Sequence, residues 1–150
     1  MSNKHIKVNA IKNGTVIDHI AAGKVLKVIE ILNLNDNNSV MMGMNLSSNK
    51  IGKKDIIKIE NRELSQEEAN SIAVISPKAT LIIIKDFEVA KKMELEVPDK
   101  IEKIVVCPNP KCITNLEDVV TKFKVDHENQ TVRCMYCEKK YELEHLKIKI

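Results

Sequence analysis

The chain has 150 residues, is 43% hydrophobic and 30% charged, and carries a net charge of +3. That balance excludes a disordered chain and a membrane-embedded one. With Phe87, Phe123, Tyr136 and Tyr141 as its only aromatic residues and no strongly basic block, it is a poor footprint for nucleic acid. The N-terminal stretch MSNKHIKVNAIK lacks the apolar core of a signal peptide, so a cytoplasmic protein is expected.

In chain order, HIKVNAI (residues 5–11) alternates apolar and polar and predicts a half-buried strand. Asn13-Gly14 is a turn signal, and Val16-Ile17 leads to Asp18-His19, after which a helix is expected. In AAGKVLKVIEIL, Val25, Val28, Ile29 and Leu32 form one apolar helical face. A polar loop then leads to a strand at Val40–Met44, a turn at Ser47–Lys50 and an antiparallel strand at Asp55–Glu60. Ser65 and Glu68 have the spacing of a capping box, opening a helix that must stop before Pro77. Thr80–Ile84 is a β-branched run typical of a central strand, which Phe87–Ala90 is expected to extend. The predicted fold class is α+β, with a ferredoxin-like β-α-β-β-α-β order over residues 1–98. Helices on one face of such a sheet leave the other to be covered or to bind something.

Pro98-Asp99 marks a boundary, and residues 99–150 read as a small all-β domain. Strands are expected at Val119–Val125 and Thr131–Met135, joined by the polar turn 126–130. About fifty residues build too small a core to stand alone, so a staple is expected. Cys107, Cys112, Cys134 and Cys137 supply it, as C-x4-C and C-x2-C separated by 21 residues. Two turns that bring four thiolates together make a closed tetrahedral site. Zinc suits it best and iron is the other metal four thiolates hold. A thioredoxin-like pair would sit at a helix start, not at the end of a hairpin, and disulfides do not suit a reducing compartment. A closed shell leaves no position for water, so the metal is expected to be structural.

No phosphate-binding loop, dinucleotide fingerprint, zinc-protease motif or nucleophile elbow occurs in the chain. Asp18 and His19 are adjacent and more often structural than catalytic. Lys54 and Lys58 hint at an anion site, with Lys58 between Ile57 and Ile59 on a predicted strand. A zinc-ribbon nucleic-acid-binding protein would call for a basic stripe, whereas residues 99–150 hold 10 basic and 9 acidic residues. A small nucleotide-hydrolysing enzyme would call for a base beside a carboxylate cluster.

The segments VNAIKNGTVIDHI (8–20), MNLSSNKIGKKDIIKIEN (44–61), LSQEEA (64–69), SPKATLIIIKDFEVAKK (76–92) and VCPNPKCITN with RCMYCEKKY (between 106 and 141) resemble the regulatory chain of aspartate carbamoyltransferase, an enzyme of pyrimidine biosynthesis. The resemblance covers nearly the whole chain. It implies a non-catalytic subunit whose first domain binds CTP or ATP and whose zinc domain docks on the catalytic chain. It also implies a homodimer of regulatory chains within a larger holoenzyme. Carried over residue by residue, Val8, Asn9, Ala10 and Ile11 would lie beside the base, and Val16, Asp18 and His19 near ribose and phosphate. Ile56 and Lys58 would come from the hairpin strand, and Ile82, Ile84, Phe87, Val89 and Lys92 from the last strand and its exit. Lys54 would help with a triphosphate or a second nucleotide. The family often has an acidic residue at Asn9, an amide at Ile82 and a tyrosine at Phe87, so these side chains offer a base fewer polar partners here.

Overall fold

Gly14, expected in a turn, instead opens the central strand of the first sheet. The computed structural model describes residues 10–34 and 37–149. In it β1 runs Gly14–Ala21, and Gly14 has φ +147°, with its Cα so close to β3 that a Cβ would collide with the Ile59 carbonyl oxygen. Only glycine allows that approach. The extended stretch therefore continues through Asp18-His19, where the helix had been expected to follow. The strand expected at residues 5–11 lies largely outside the described residues.

β1 pairs antiparallel with β3 (Gly52–Glu60) on one side and with β4 (Thr80–Lys85) on the other. Beyond β3 lies β2 (Val40–Ser48), and beyond β4 lies β5 (Glu88–Glu94), giving the order β2-β3-β1-β4-β5. β5 was not expected as a separate strand. Asp86 and Phe87 both adopt positive φ (50° and 67°), so the chain reverses after Lys85 where an extension of β4 had been anticipated. The first four strands with their helices keep the ferredoxin-like order, and β5 adds an edge.

α1 (Val25–Leu32) and α2 (Gln66–Ile75) cover one face. Ile17, Ile20, Ile57, Ile59 and Leu81 meet Val25, Val28, Leu32, Ile72 and Ala73 there in one buried core. α1 starts at Val25, four residues later than the apolar run, because Gly23 (φ +87°) turns the chain and no local side chain caps the helix. Asp55, fully buried on β3, does so from across the core. Its carboxylate accepts from the backbone N–H of Gly23 (2.8 Å), Val25 (3.1 Å) and Asn45 (2.9 Å), joining the α1 start to the β2 bulge. A carboxylate at a helix N-terminus is favoured by the helix dipole and by the free amides. α2 opens with the expected capping box between Ser65 and Glu68 and ends before Pro77. Arg62 ties the helices together, donating to the Leu32 carbonyl at 2.9 Å and to Glu68 at 2.6 Å.

The second module has a four-stranded sheet in the order β10-β9-β8-β6, made of Lys140–Glu142, Thr131–Cys134, Lys122–Asp126 and Lys100–Glu102. A two-stranded ribbon pairs β7 (Val105–Val106) with β11 (Lys147–Ile148). Two short pieces break the all-β pattern: a single helical turn, α3 (Ile113–Leu116), and a 3-10 turn at Leu143–His145. Phe123 and Ile101 fill the core beside Cys107, Cys112 and Cys134. Val74 of α2 is buried in this second core, and Val97 packs against both.

Asp55→Ala should destabilise the chain by about 2–4 kcal/mol, because three backbone donors lose their acceptor together. Asp55→Asn keeps an acceptor and should cost less. Urea unfolding midpoints of the two variants test this, and equal losses would contradict the capping role.

Candidate metal centre and the open sheet face

The metal centre is built from two turns. In the first, Cys112 N–H donates to the Asn109 carbonyl at 3.0 Å, and the Asn115 side chain donates to the carbonyls of Cys107 (2.8 Å) and Asn109 (2.7 Å). In the second, Glu138 takes φ +63° and its N–H reaches the Cys134 carbonyl at 2.9 Å. β8 and β9 align the turns, pairing Phe123 with Cys134. The four Sγ atoms lie within 4.8 Å of one another. Cys107 and Cys137 are 3.8 Å apart, and Cys112 and Cys134 are 3.7 Å apart. A metal–sulfur bond of about 2.3 Å in a tetrahedron gives an edge of about 3.8 Å, so this donor set fits a tetrathiolate ion.

Burial opposes the thiolate at all four sulfurs. It dominates at Cys107, whose thiol is pushed up to about 12, and it raises Cys134. At Cys112 the Thr114 hydroxyl and amide outweigh it, and at Cys137 the Lys139 amide and Asn109 side chain bring the thiol down to about 7. Tyr141 packs beside them; burial first, and then the charge of Cys107 and Cys137, pushes its phenol up to about 12. Thr114 donates to Cys112 Sγ at 3.2 Å. The cysteine spacing carries no sign of this residue; only its position two after a ligand could have drawn notice.

The sheet face away from the helices collects most of the other expected site residues. Opposed residues on antiparallel strands share a face. Register therefore aligns Lys58, Val16, Ile82 and Lys92 in one row across four strands. Ile84 pairs with Val89 in a neighbouring row, and Ile56 pairs with Gly43 on β2. Asp18 and His19 occupy a bulge in β1, where His19 has φ +55° and its N–H is held by the Asp18 carboxylate at 2.6 Å. Asp18 also meets Lys54 Nζ at 2.8 Å. Burial works against the Asp18 charge, but the Lys54 hydrogen bond and the His19 amide outweigh it and hold the carboxyl below its ordinary value. His19 Nδ1 lies 3.2 Å from Thr80 Oγ1, and the ring lines a cleft of about 880 Å³ between the two modules. Phe87 N–H donates to the Lys12 carbonyl at 2.9 Å, which brings the segment after Ala10 and Ile11 to the β4–β5 turn. Ile11 is buried, while Ala10 and Phe87 are exposed. Val8 and Asn9 lie outside the described residues.

Comparison with protein families places residues 6–96 in the allosteric domain of the aspartate carbamoyltransferase regulatory chain and residues 99–147 in its metal binding domain. The chain belongs to that family. The regulatory chain of Pyrococcus abyssi is 54% identical over 145 residues, covering 94% of this chain and 95% of the relative. That of Thermococcus sibiricus is 51% identical over 140 residues, covering 93% of each. That of Methanocaldococcus jannaschii is 49% identical over 137 residues, covering 91% and 92%. The protein is thus a non-catalytic regulatory chain, with an allosteric domain in front of a metal-binding one. The four-cysteine cluster lies within that metal binding domain and supports a structural metal site there. No helix among the described residues is long and apolar enough to cross a membrane.

Metal uptake by a regulatory chain of this geometry must displace thiol protons, above all from Cys107. Affinity should therefore fall as the pH drops, by about tenfold per pH unit for each proton displaced. Chelator competition at several pH values tests the slope; a flat profile would contradict it. Cys112→Ser should lose the metal and unfold the second domain, read by metal content and hydrogen exchange, and retained stoichiometric metal would reject the four-sulfur assignment.

Proposed function

We propose that this chain is the effector-binding subunit of aspartate carbamoyltransferase, taking nucleoside triphosphates such as CTP and ATP on the open face of its first sheet. The observation that carries this reading is the row Lys58–Val16–Ile82–Lys92 on a face that no helix among the described residues covers. Two ammonium groups flank an apolar floor, which suits a polyphosphate joined to a flat ring. Asp18 offers an acceptor to ribose hydroxyls, and His19 and Lys54 add donors for phosphate. Ile82 and Phe87 leave main-chain groups to read the base. In this reading the allosteric domain spans residues 1–98 and the metal domain 99–150. The metal is one structural zinc, since zinc closes a four-sulfur shell without redox chemistry. Four thiols free of disulfides suit a cytoplasmic chain.

The metal domain is the part that docks on the catalytic chain. Around its two turns it exposes Ile113 (39%), Leu116 (67%), Met135 (49%) and Tyr136 (40%), a dense apolar set for so small a domain. The turn residues 109–115 and 138–141 would carry this contact. The homodimer is supported by the two edges of the first sheet. β5 is edged with Glu88, Lys91, Lys92 and Glu94, the usual defence of a free edge, whereas β2 presents Val40, Met41, Met42, Met44 and Leu46. A second copy of the same strand is the self-complementary partner for such an edge.

Titration of the purified chain with CTP and ATP, alone and with the catalytic trimer, tests the effector role; binding of neither nucleotide would overturn it. Lys92→Ala should weaken triphosphate binding by roughly ten- to a hundredfold, the worth of one charged hydrogen bond, and leave nucleoside binding nearly unchanged. Met42→Lys should convert a dimer to monomers in sedimentation experiments, and an unchanged dimer would move the interface elsewhere.

A further inference from the structure

We propose that Thr114 is a positioning residue of the metal centre: its hydroxyl donates to Cys112 Sγ and holds that sulfur on the ion. This rests on the metal occupying the four thiolates. The hydrogen bond is 3.2 Å long and buried, and Thr114 itself is only 8% exposed. A threonine hydroxyl in or near a helix normally bonds the carbonyl four residues back or turns to water. Here its hydrogen-bond partner is the sulfur two residues back.

The electrostatics explain why that partner matters. Four thiolates on a divalent ion leave a charge of about −2 in a low-dielectric core. Cys112 and Cys134 are 1% and 0% exposed, so water cannot relieve that charge at these two sulfurs and protein donors must. A hydrogen bond to an ionised sulfur is charge-assisted, and a buried lone pair left without it is costly. Cys112 is also the residue that opens α3, so one side chain fixes both the sulfur and the turn that follows it. Groups that orient metal ligands in this way typically govern affinity by ten- to a hundredfold.

Thr114→Val keeps the shape and removes the donor, whereas Thr114→Ser keeps the donor. With the full chain loaded with zinc, Thr114→Val should release metal to a chromophoric chelator with roughly ten- to a hundredfold lower apparent affinity, and Thr114→Ser should stay close to wild type. With cobalt in place of zinc, losing the donor raises the energy of the sulfur lone pairs. The sulfur-to-cobalt charge-transfer band should therefore move to longer wavelength in Thr114→Val and stay in place in Thr114→Ser. Valine keeps the shape of threonine, so the shift reads the lost donor and not a packing defect. Thr114→Ala, read the same way, serves if the valine branch prevents loading. Unchanged release and band in the variants lacking the hydroxyl, or a serine variant as impaired as the valine one, would overturn the role of Thr114. A wild-type chain that takes up no metal would overturn the metal assignment itself.

Discussion

Convergence of four sulfurs on one point is the constraint on which the C-terminal third of the chain depends. Phe123 is the one fully buried aromatic ring among the described residues of that module, and such a side chain contributes about 3 kcal/mol at most. That is small against the cost of ordering some fifty residues. Cys107, Cys112 and Cys134 stand in the same core as Phe123, so the metal centre and the hydrophobic core are one body. The strands, the α3 turn and the apolar surface around both turns are oriented by where the sulfurs must be. The module also buries Val74 of α2, so a shift of that helix against its own sheet is felt in the metal domain. That packing is a physical route from one domain to the other.

The first domain is organised by an asymmetry between its two faces. Both helices lie on one side and consume the fully buried isoleucines of β1 and β3. The other side keeps lysines, the buried Val16 and the half-buried Ile82 in register. The effector surface proposed for that side needs no catalytic machinery: it needs charge, shape and a connection to something that moves. The Asp18–Lys54 pair shows how finely charge is set there, since a carboxylate and an ammonium, each largely shielded from solvent, hold one another beside the bulge. Coupling between such a site and a partner's active site is ordinarily worth about 1–3 kcal/mol, which small changes in packing can supply.

Much of this was legible in the residues. The capping box at Ser65 and Glu68, the β-branched run at Thr80–Ile84 and the stop before Pro77 are local chemistry, and local chemistry decides them. The cysteine spacing announced the metal centre because two short turns and a hairpin leave few other ways to arrange four thiols. The misread elements share one cause. Gly14, Asp18-His19 and Asp86-Phe87 adopt backbone conformations that depend on a neighbour: β3 pressing on Gly14, the bulge opposite Ile56, and a reversal that lets β5 pair with β4. Each is fixed in part by residues far along the chain: Ile59 beside Gly14, β3 beside the bulge, and Asn13 and Lys12, which accept from the Asp86 and Phe87 amides. Asp55 was read as a strand residue, and its role as a remote helix cap involves amides 10 to 32 residues away.

The amino-acid sequence by itself determined most of the elements and the pairing of the four cysteines, because periodicity, capping and cysteine spacing act over a few bonds, while its likeness along nearly the whole chain pointed to the family. Tertiary structure alone decided which lysines share a row, that Lys54 is held by Asp18, that Thr114 reaches Cys112 and that Val74 belongs to the second core. Those are contacts of register and packing. A strand shifted by one residue would send every one of its side chains to the opposite face, and only the assembled sheets and cores remove that freedom.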